Sequence, residues 1–134
     1  MRYKITITAA MIFLLCLEIY GQHNVITVSF QTNEYQIVND EKQKIEQVRH
    51  LLKEQKNAFV RIYGFANPTG SSKYNLSLSK LRAYEVANKI NYDNLVNSSN
   101  LYIEWFGESN ETDHLHYDRI SSQKRCVDII ISNE

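Results

Sequence analysis

Cysteine is scarce in this chain, which contains two among its 134 residues. Cys16 lies in an apolar run near the start, Ile5 to Leu17, and Cys126 lies in another apolar run near the end. Removal of the first run as a leader would leave one thiol, and no disulfide could then form within the chain. Cys126 has no histidine or other base beside it in the sequence, which predicts a small buried residue rather than a nucleophile.

Neither sign of charge prevails, because 15 Lys and Arg residues are balanced by 15 Asp and Glu residues. Removal of residues 1–21 takes away Arg2, Lys4 and Glu18 and leaves a net charge of −1. Proteins that bind nucleic acid through its phosphates need a strongly basic surface. The composition therefore excludes nucleic acid as a partner.

The chain also lacks an apolar run of the roughly 20 residues that a membrane-spanning helix needs. A basic start followed by a short apolar run is typical of an export signal, and Glu18 ends this run early. We interpret residues 1–21 as a signal peptide cleaved after Gly21, which leaves residues 22–134 as the mature domain. In the alternative, Cys16 carries a lipid, although Leu15 is larger than the residue that usually precedes a lipidated cysteine. Membrane association is expected only in that alternative.

Glycine and proline are rare, with four and one residues, and no linker rich in them divides the chain. A single domain is therefore expected. Alternating apolar residues predict strands at about 25–30, 58–64, 101–107 and 125–132. Apolar residues at helical spacing predict helices at roughly 40–56 and 77–91, the first with a capping box at Asp40 and Gln43 and the second capped by Ser77 or Ser79. This order predicts an α+β fold, a βαβαββ two-layer sandwich whose four-stranded mixed sheet carries both helices on one face.

Two of the four glycines and the proline fall in one segment, GFANPTGSSKYNLSLSKLRA, residues 64–83. Gly70 allows backbone angles that other residues rarely adopt, and Pro68 restricts both itself and Asn67. The segment is therefore predicted to be a shaped loop before a helix, whose unpaired N–H groups favour an anion. With a helix beginning near residue 77, Arg82 would lie within about its first turn and lean back over the loop.

Arg82 and Asn67 together suit a ligand that carries both charges. A guanidinium binds a carboxylate through two parallel hydrogen bonds, and the side-chain oxygen of Asn67 can accept from an ammonium group. In the alternative, the segment is an ordinary capped turn, and Arg82 lies on the surface and pairs with an acid such as Glu85.

The same segment resembles the signature of the OmpA-like (OmpA/MotB C-terminal) peptidoglycan-binding domain. Ten positions agree in register: Gly64, Phe65, Gly70, Ser71, Asn75, Leu78, Ser79, Arg82, Ala83 and Val86. FGE at 106–108 is similar to the family's G-x-G-E turn, and RCVDI at 125–129 is similar to its N-R-R-V-[ED]-I strand. The resemblance covers about residues 25–132.

This resemblance implies a non-catalytic cell-envelope module in the periplasm that binds the diaminopimelate of the peptidoglycan stem peptide. Association with the outer membrane belongs to the alternative in which Cys16 carries a lipid. It implies that Arg82 binds the carboxylate and that Asn67, at the position of the family's Asp, receives the ammonium. Further ligand-binding positions that it implies are Phe65, Ala66, Asn75, Leu78 and Arg125. It implies no cofactor.

Asn67 departs from the family's Asp, and Ala66 from its preceding Thr. Because Asn67 has no charge, a charge-assisted hydrogen bond becomes a neutral one at a cost on the order of 1–2 kcal/mol, roughly five- to thirtyfold in affinity. The departure leaves open an alternative function, in which the fold has lost wall binding and acts as an interaction or assembly factor for other envelope proteins.

The sequence offers little sign of a metal or of catalysis. Asp113, His114 and His116 lie near Glu108 and Glu111, but this stretch is polar throughout and typical of an exposed loop. No serine or cysteine has a base suitably placed to activate it. We therefore expect no metal site and no enzymatic activity.

Overall fold

The computed structural model describes residues 23–108 and 125–133. The predicted signal peptide, Cys16 and the Asp113, His114 and His116 group lie outside the described residues. The elements in chain order are β1 (Asn24–Ser29), α1 (Asn39–Glu54), β2 (Phe59–Gly64), α2 (Ser72–Asn91), β3 (Leu101–Trp105) and β4 (Cys126–Ser132), with a 3-10 turn at Ser98–Asn100. No helix in these two ranges is both long and apolar enough to cross a membrane.

The strands form one mixed sheet in the order β1-β4-β2-β3. The last strand, β4, is antiparallel to both of its neighbours, β1 and β2, whereas β2 and β3 are parallel. The predicted α+β fold with a four-stranded mixed sheet is confirmed.

Both helices cover the same face of this sheet. Alternate residues of β4 point to it, and Val127, Ile129 and Ile131 have no exposed surface because the helices cover them. The helix residues of this core are Ile45, Val48 and Leu52 of α1 and Ala83, Val86, Ala87 and Ile90 of α2. The apolar stripe predicted for each helix is therefore the face that packs on the sheet.

The opposite face of the sheet carries a second, smaller apolar cluster. Tyr63, Phe65, Cys126 and Ile130 form it, with Val25 and Phe106 packed against them. The thiol of Cys126 is fully buried, as predicted. Asp128 is buried on the same face and accepts a hydrogen bond of 2.7 Å from Oγ1 of Thr27.

A buried arginine fastens α1 to the end of α2. Arg49 donates to the main-chain oxygen of Ile90 at 3.1 Å and to both carboxylate oxygens of Asp93, at 3.0 and 2.8 Å. Its guanidinium also lies 4.0 Å from the centre of the Tyr92 ring. Hydrogen bonding to Arg49 lowers the pKa of Asp93 and raises that of Arg49. A cation is also favourable at this point because a helix C-terminus carries partial negative charge.

The predicted capping box of α1 is wrong. The cap position is Val38, which has no side-chain hydrogen bond to the first turn, and Asp40 already lies inside the helix. Glu41 instead binds the end of β1, where its carboxylate accepts a hydrogen bond of 2.9 Å from the N–H of Ser29.

Candidate ligand-binding site

The loop and the start of α2 differ from the predicted arrangement. Ser71 caps the helix by accepting a hydrogen bond from the N–H of Tyr74 at 3.2 Å, and the preceding Gly70 has φ of +93°. The predicted caps are wrong, because the hydroxyl of Ser77 donates to the main-chain oxygen of Lys73 and that of Ser79 to the main-chain oxygen of Leu76. Since α2 begins at Ser72, Arg82 lies nearly three turns into the helix rather than in its first turn.

Close packing fixes the end of β2 against the middle of α2. A Cβ atom at Gly64 would lie 2.3 Å from the main-chain oxygen of Ser79, so this position requires glycine. The hydroxyl of Ser79 accepts a hydrogen bond of 2.9 Å from the N–H of Gly107. The main-chain oxygen of Gly107 in turn accepts from the N–H of Ala66 at 2.7 Å. The loop that begins at Phe65 therefore starts from a rigid position next to the turn after β3.

Arg82 is buried and bound to main-chain oxygens. Its residue surface is 0 % exposed. Nε donates to Glu34 at 2.8 Å, Nη1 to Phe65 at 3.1 Å and Nη2 to Gln31 at 3.0 Å. The side chain reaches the loop after β2, but it is not a surface residue paired with Glu85, and that alternative is wrong. Glu85 pairs with Lys89 instead, at 3.8 Å.

The charge of Arg82 has no anionic partner among the described residues. Within these ranges its acceptors are three neutral main-chain oxygens, and its guanidinium carbon lies 5.2 Å from the centre of the Phe30 ring. Burial, with a smaller contribution from nearby Arg125, lowers the pKa of Arg82 to about 10, so it stays charged at neutral pH. A guanidinium has five N–H donors, and three of them bond to described residues, which leaves one on each of Nη1 and Nη2 without a described acceptor.

Asn67 lies two residues beyond the main-chain oxygen that Arg82 binds. It is half-buried, and its own main-chain oxygen accepts from the N–H of Thr69 at 2.8 Å in a tight turn. Its side-chain amide makes no hydrogen bond within the two described ranges, so its oxygen can accept from a ligand. Pro68, Thr69 and Gly70 are exposed and form the tip of the loop.

Asn75 is hydrogen-bonded to the turn after β3. It is 1 % exposed, and its Nδ2 donates to Oε2 of Glu108 at 2.6 Å. The hydroxyl of Ser72 donates to the other carboxylate oxygen, Oε1, at 2.8 Å. A cavity of about 350 Å³ is lined by Ser72, Leu76, Phe106, Gly107 and Glu108. Sequence reasoning did not assign Glu108 to this site, although the FGE motif was the signal that could have identified it.

The other predicted site residues lie beneath the loop. Phe65, Ala66 and Leu78 are all buried, and the Phe65 ring stacks on that of Phe106 at 5.4 Å. Arg125 is half-buried and donates to Oγ1 of Thr32 at 3.1 Å, while its buried Nε has no hydrogen-bond partner among residues 23–108 and 125–133. The structure therefore brings Arg82 and Arg125 together with residues 30–34, and Asn75 together with Glu108. Ligand contact by these residues stays a prediction.

A larger groove of about 720 Å³ lies elsewhere, between the two helices. Its walls include Tyr35, Ile37, Lys42, Ile45, Glu85 and Lys89. None of the predicted site residues lines it, so its size does not make it the site suggested by the sequence.

Comparison with known proteins shows the family of this chain. The model of the OmpA family matches residues 29–125. The chain belongs to the OmpA family. The match includes the whole Gly64–Arg82 segment and the turn that contains Glu108. The comparison with curated proteins yields no match.

Solved structures share the fold. The peptidoglycan-associated lipoprotein of Burkholderia pseudomallei has a TM-score of 0.64 at 24% identity, over 78% of this chain and 88% of that one. An outer membrane protein of Borrelia burgdorferi B31 gives 0.63 at 22%, over 83% and 88%. The C-terminal domain of Helicobacter pylori MotB gives 0.62 at 21%, over 83% and 87%. At these identities the similarity shows a shared fold and does not show a shared ligand.

Proposed function

We propose that this OmpA-family domain is a non-catalytic module of the periplasm that binds the diaminopimelate-containing stem peptide of peptidoglycan. Family membership supports an envelope role, and the Burkholderia relative is peptidoglycan-associated by name. In this proposal Arg82 receives the ligand's carboxylate, and the side-chain oxygen of Asn67 contacts its ammonium group.

The observation that carries the proposal is that the buried charge of Arg82 has no anionic partner in the part of the chain that the structure describes. An ionised group removed from water is costly unless an opposite charge or a full set of hydrogen bonds compensates it. Three neutral oxygens provide part of that compensation. A carboxylate would provide the missing charge through the N–H groups that remain on Nη1 and Nη2, in the two-bond geometry that suits a guanidinium.

Access to this charge requires movement, because Arg82 has no exposed surface. Two of its acceptors, Gln31 and Glu34, belong to the turn after β1, in which Asn33 has a positive φ of 61°. The third acceptor, Phe65, lies at the rigid end of β2. We therefore expect the turn at residues 31–34 to be displaced by the ligand while the end of β2 stays in place.

Asn67 provides the sharpest test because it is half-buried in the loop and its replacement leaves the core intact. Asn67→Asp restores the charge of the family motif and should increase affinity roughly five- to thirtyfold. Asn88→Asp, on the exposed surface of α2, adds the same charge elsewhere and serves as the control. The measurement is sedimentation of purified protein with sacculi, together with titration of a diaminopimelate-containing peptide.

The proposal fails if neither wild type nor Asn67→Asp is retained by sacculi. A gain that Asn88→Asp reproduces would show a general charge effect and would contradict the assigned role of Asn67.

A second candidate function is an interaction or assembly factor that keeps the fold without wall binding. The observation in its favour is that Arg82 is already bound by three main-chain oxygens, which gives it a structural role with no ligand. Absence of sacculus binding together with specific co-purification of an envelope protein would support this function. Retention on sacculi by the wild type would exclude it.

A further inference from the structure

Two exposed tyrosines line the groove of about 720 Å³ between the helices. Tyr92 is 72 % exposed and Tyr35 is 40 % exposed. Ile37 and Ile45 also line the groove but are buried, so they give it an apolar floor. Aromatic rings that stay in solvent beside a concave apolar surface are typical of a ligand-binding site.

The ring of Tyr92 is held in place although most of it is exposed. One of its faces packs on the guanidinium of Arg49, whose carbon lies 4.0 Å from the ring centre. Arg49 is itself 3 % exposed, and hydrogen bonds to Ile90 and Asp93 fix its position. The outer face of the Tyr92 ring is therefore preorganised, and a ligand that stacks on it pays little entropy for ordering the side chain.

The groove adjoins the site proposed for the stem peptide. Tyr35 follows Glu34, whose main-chain oxygen accepts a hydrogen bond of 2.8 Å from Nε of Arg82. Glu85, in the wall of the groove, lies about one helical turn beyond Arg82 on α2. A polymer held at Arg82 therefore has another part of its chain within reach of the groove.

The charged side chains of the groove balance each other. Lys42 and Lys89 are matched by Glu46 and Glu85, which leaves the groove without net charge. Glu85 and Lys89 pair at 3.8 Å, and Lys42 donates to Oδ1 of Asn39 at 2.9 Å. Such a groove does not select an ionic ligand, but its ammonium groups donate to hydroxyl and amide oxygens and its carboxylates accept from hydroxyl groups. These side chains suit an uncharged chain rich in hydroxyl and amide groups.

We propose that this groove binds an uncharged amino-sugar chain, the glycan strand that carries the stem peptide, with sugar rings stacked on Tyr92 and Tyr35. This inference rests on the proposed function, because the glycan and the stem peptide belong to one polymer. A sugar ring presents an apolar face of C–H groups to an aromatic ring, while its hydroxyl groups reach the polar side chains around the groove. Two adjoining sites on one polymer give a higher affinity than either site alone.

Titration of the N-acetylglucosamine tetramer, a neutral sugar chain without peptide, tests this assignment by nuclear magnetic resonance. The main-chain amide signals of Tyr35, Ile37 and Tyr92 are expected to shift in wild type, whereas those of β3 stay unchanged. Tyr92→Leu removes the ring but keeps apolar bulk, and it should weaken binding at least about fivefold. Tyr92→Phe keeps the ring and should bind as wild type does.

Tyr84→Leu is the matched control, because Tyr84 is an exposed tyrosine of α2 whose ring lies 5.9 Å from that of Trp105 and outside the groove. It should bind the tetramer as wild type does. Titration of the stem peptide into each variant checks that the fold persists, and Tyr92→Leu should keep the wild-type affinity for that peptide. Tyr35→Leu provides a second test of stacking that leaves the contact with Arg49 in place.

Absence of tetramer-induced shifts in the groove, or equal binding by wild type and both leucine variants of the groove, would overturn this inference. Shifts caused by a proline-rich peptide and not by the tetramer would also overturn it, because aromatic grooves bind such peptides too. Stem-peptide binding by wild type would leave the proposed function intact in either case. Failure of wild type to bind both the tetramer and the stem peptide would overturn the proposed function as well.

Discussion

Nη1 of Arg82 lies 3.1 Å from the main-chain oxygen of Phe65, and this hydrogen bond joins the middle of α2 to the residue that follows β2. The same guanidinium holds Gln31 and Glu34, so one side chain fixes the turn after β1 and the loop after β2 together. The residue that we propose as a ligand contact therefore also has a structural role. Any variant at this position must be judged for folding as well as for binding.

Arg82→Met should destabilise the domain strongly. Methionine fills much of the space but leaves three main-chain oxygens without their donors, and each unpaired buried group costs about 1–3 kcal/mol, which predicts a total of roughly 3–5 kcal/mol. Urea unfolding followed by circular dichroism measures this loss. Lys73→Met, on the exposed side of the first turn of α2, should change stability by less than about 0.5 kcal/mol. A loss below about 1 kcal/mol for Arg82→Met would contradict the role of these bonds.

Gly64→Ala should destabilise the domain by at least about 2 kcal/mol, because the added methyl group overlaps the main-chain oxygen of Ser79. A Cβ atom at Gly70 would lie 3.5 Å from the nearest atom, in the Tyr74 ring, which is an ordinary contact. The cost of Gly70→Ala therefore comes from the positive φ of this residue. Its expected cost is about 1–2 kcal/mol. The order of the two unfolding midpoints checks this prediction, and equal losses at both glycines would show that the contact with Ser79 relaxes freely.

Asp93 should contribute to stability in a pH-dependent way. Its pKa in the folded state is lower than the usual value of 3.8, chiefly because Arg49 donates to its carboxylate. Its contribution is therefore complete above that usual value and is lost as the pH falls through the lower, folded-state pKa. Urea unfolding from pH 7 to pH 2 should show Asp93→Asn less stable than wild type at neutral pH, with the difference shrinking below pH 3.8. A difference that stays constant over this range would contradict the ion pair.

Ligand binding should change hydrogen exchange in the turn at residues 31–34. Arg82 is hydrogen-bonded to the main-chain oxygens of Gln31 and Glu34, and we expect a ligand carboxylate to reach it by displacing these two residues. The N–H of Glu34, bonded to Gln31 at 3.1 Å, should lose protection when the stem peptide is added. Amides of β2 are the internal reference. Unchanged exchange at Glu34 in a saturated complex would indicate that the ligand does not reach Arg82.

The sequence predicted the sheet and both helices because alternating and helical apolar patterns report directly which face is buried. It missed the first turn of α2, because Ser72, Lys73 and Tyr74 are exposed and carry no apolar period. Ser71 was the available signal, since serine is a favoured cap.

The partners of the site could not be predicted from the sequence. Arg82 binds main-chain oxygens 48 and 51 residues earlier in the chain, and every residue carries such an oxygen, so no side-chain pattern marks them. The pairing of Asn75 with Glu108, 33 residues apart, depends in the same way on how β3 ends beside α2. Residue types alone indicated the family motif, whereas the burial of Arg82 against Gln31 and Glu34 depends on the folded chain.

The position of β4 between β1 and β2 has a consequence for the order in which the domain folds. Because the last strand in chain order supplies both antiparallel pairings of the sheet, β1 has no neighbour until residues 126–132 are available. Among the described residues, a chain without residues 126–132 retains only the parallel β2–β3 pair and lacks Val127, Ile129 and Ile131 of the helix-facing core. The complete sheet can therefore form only after β4 has been made, so the order of folding does not follow the order of the chain.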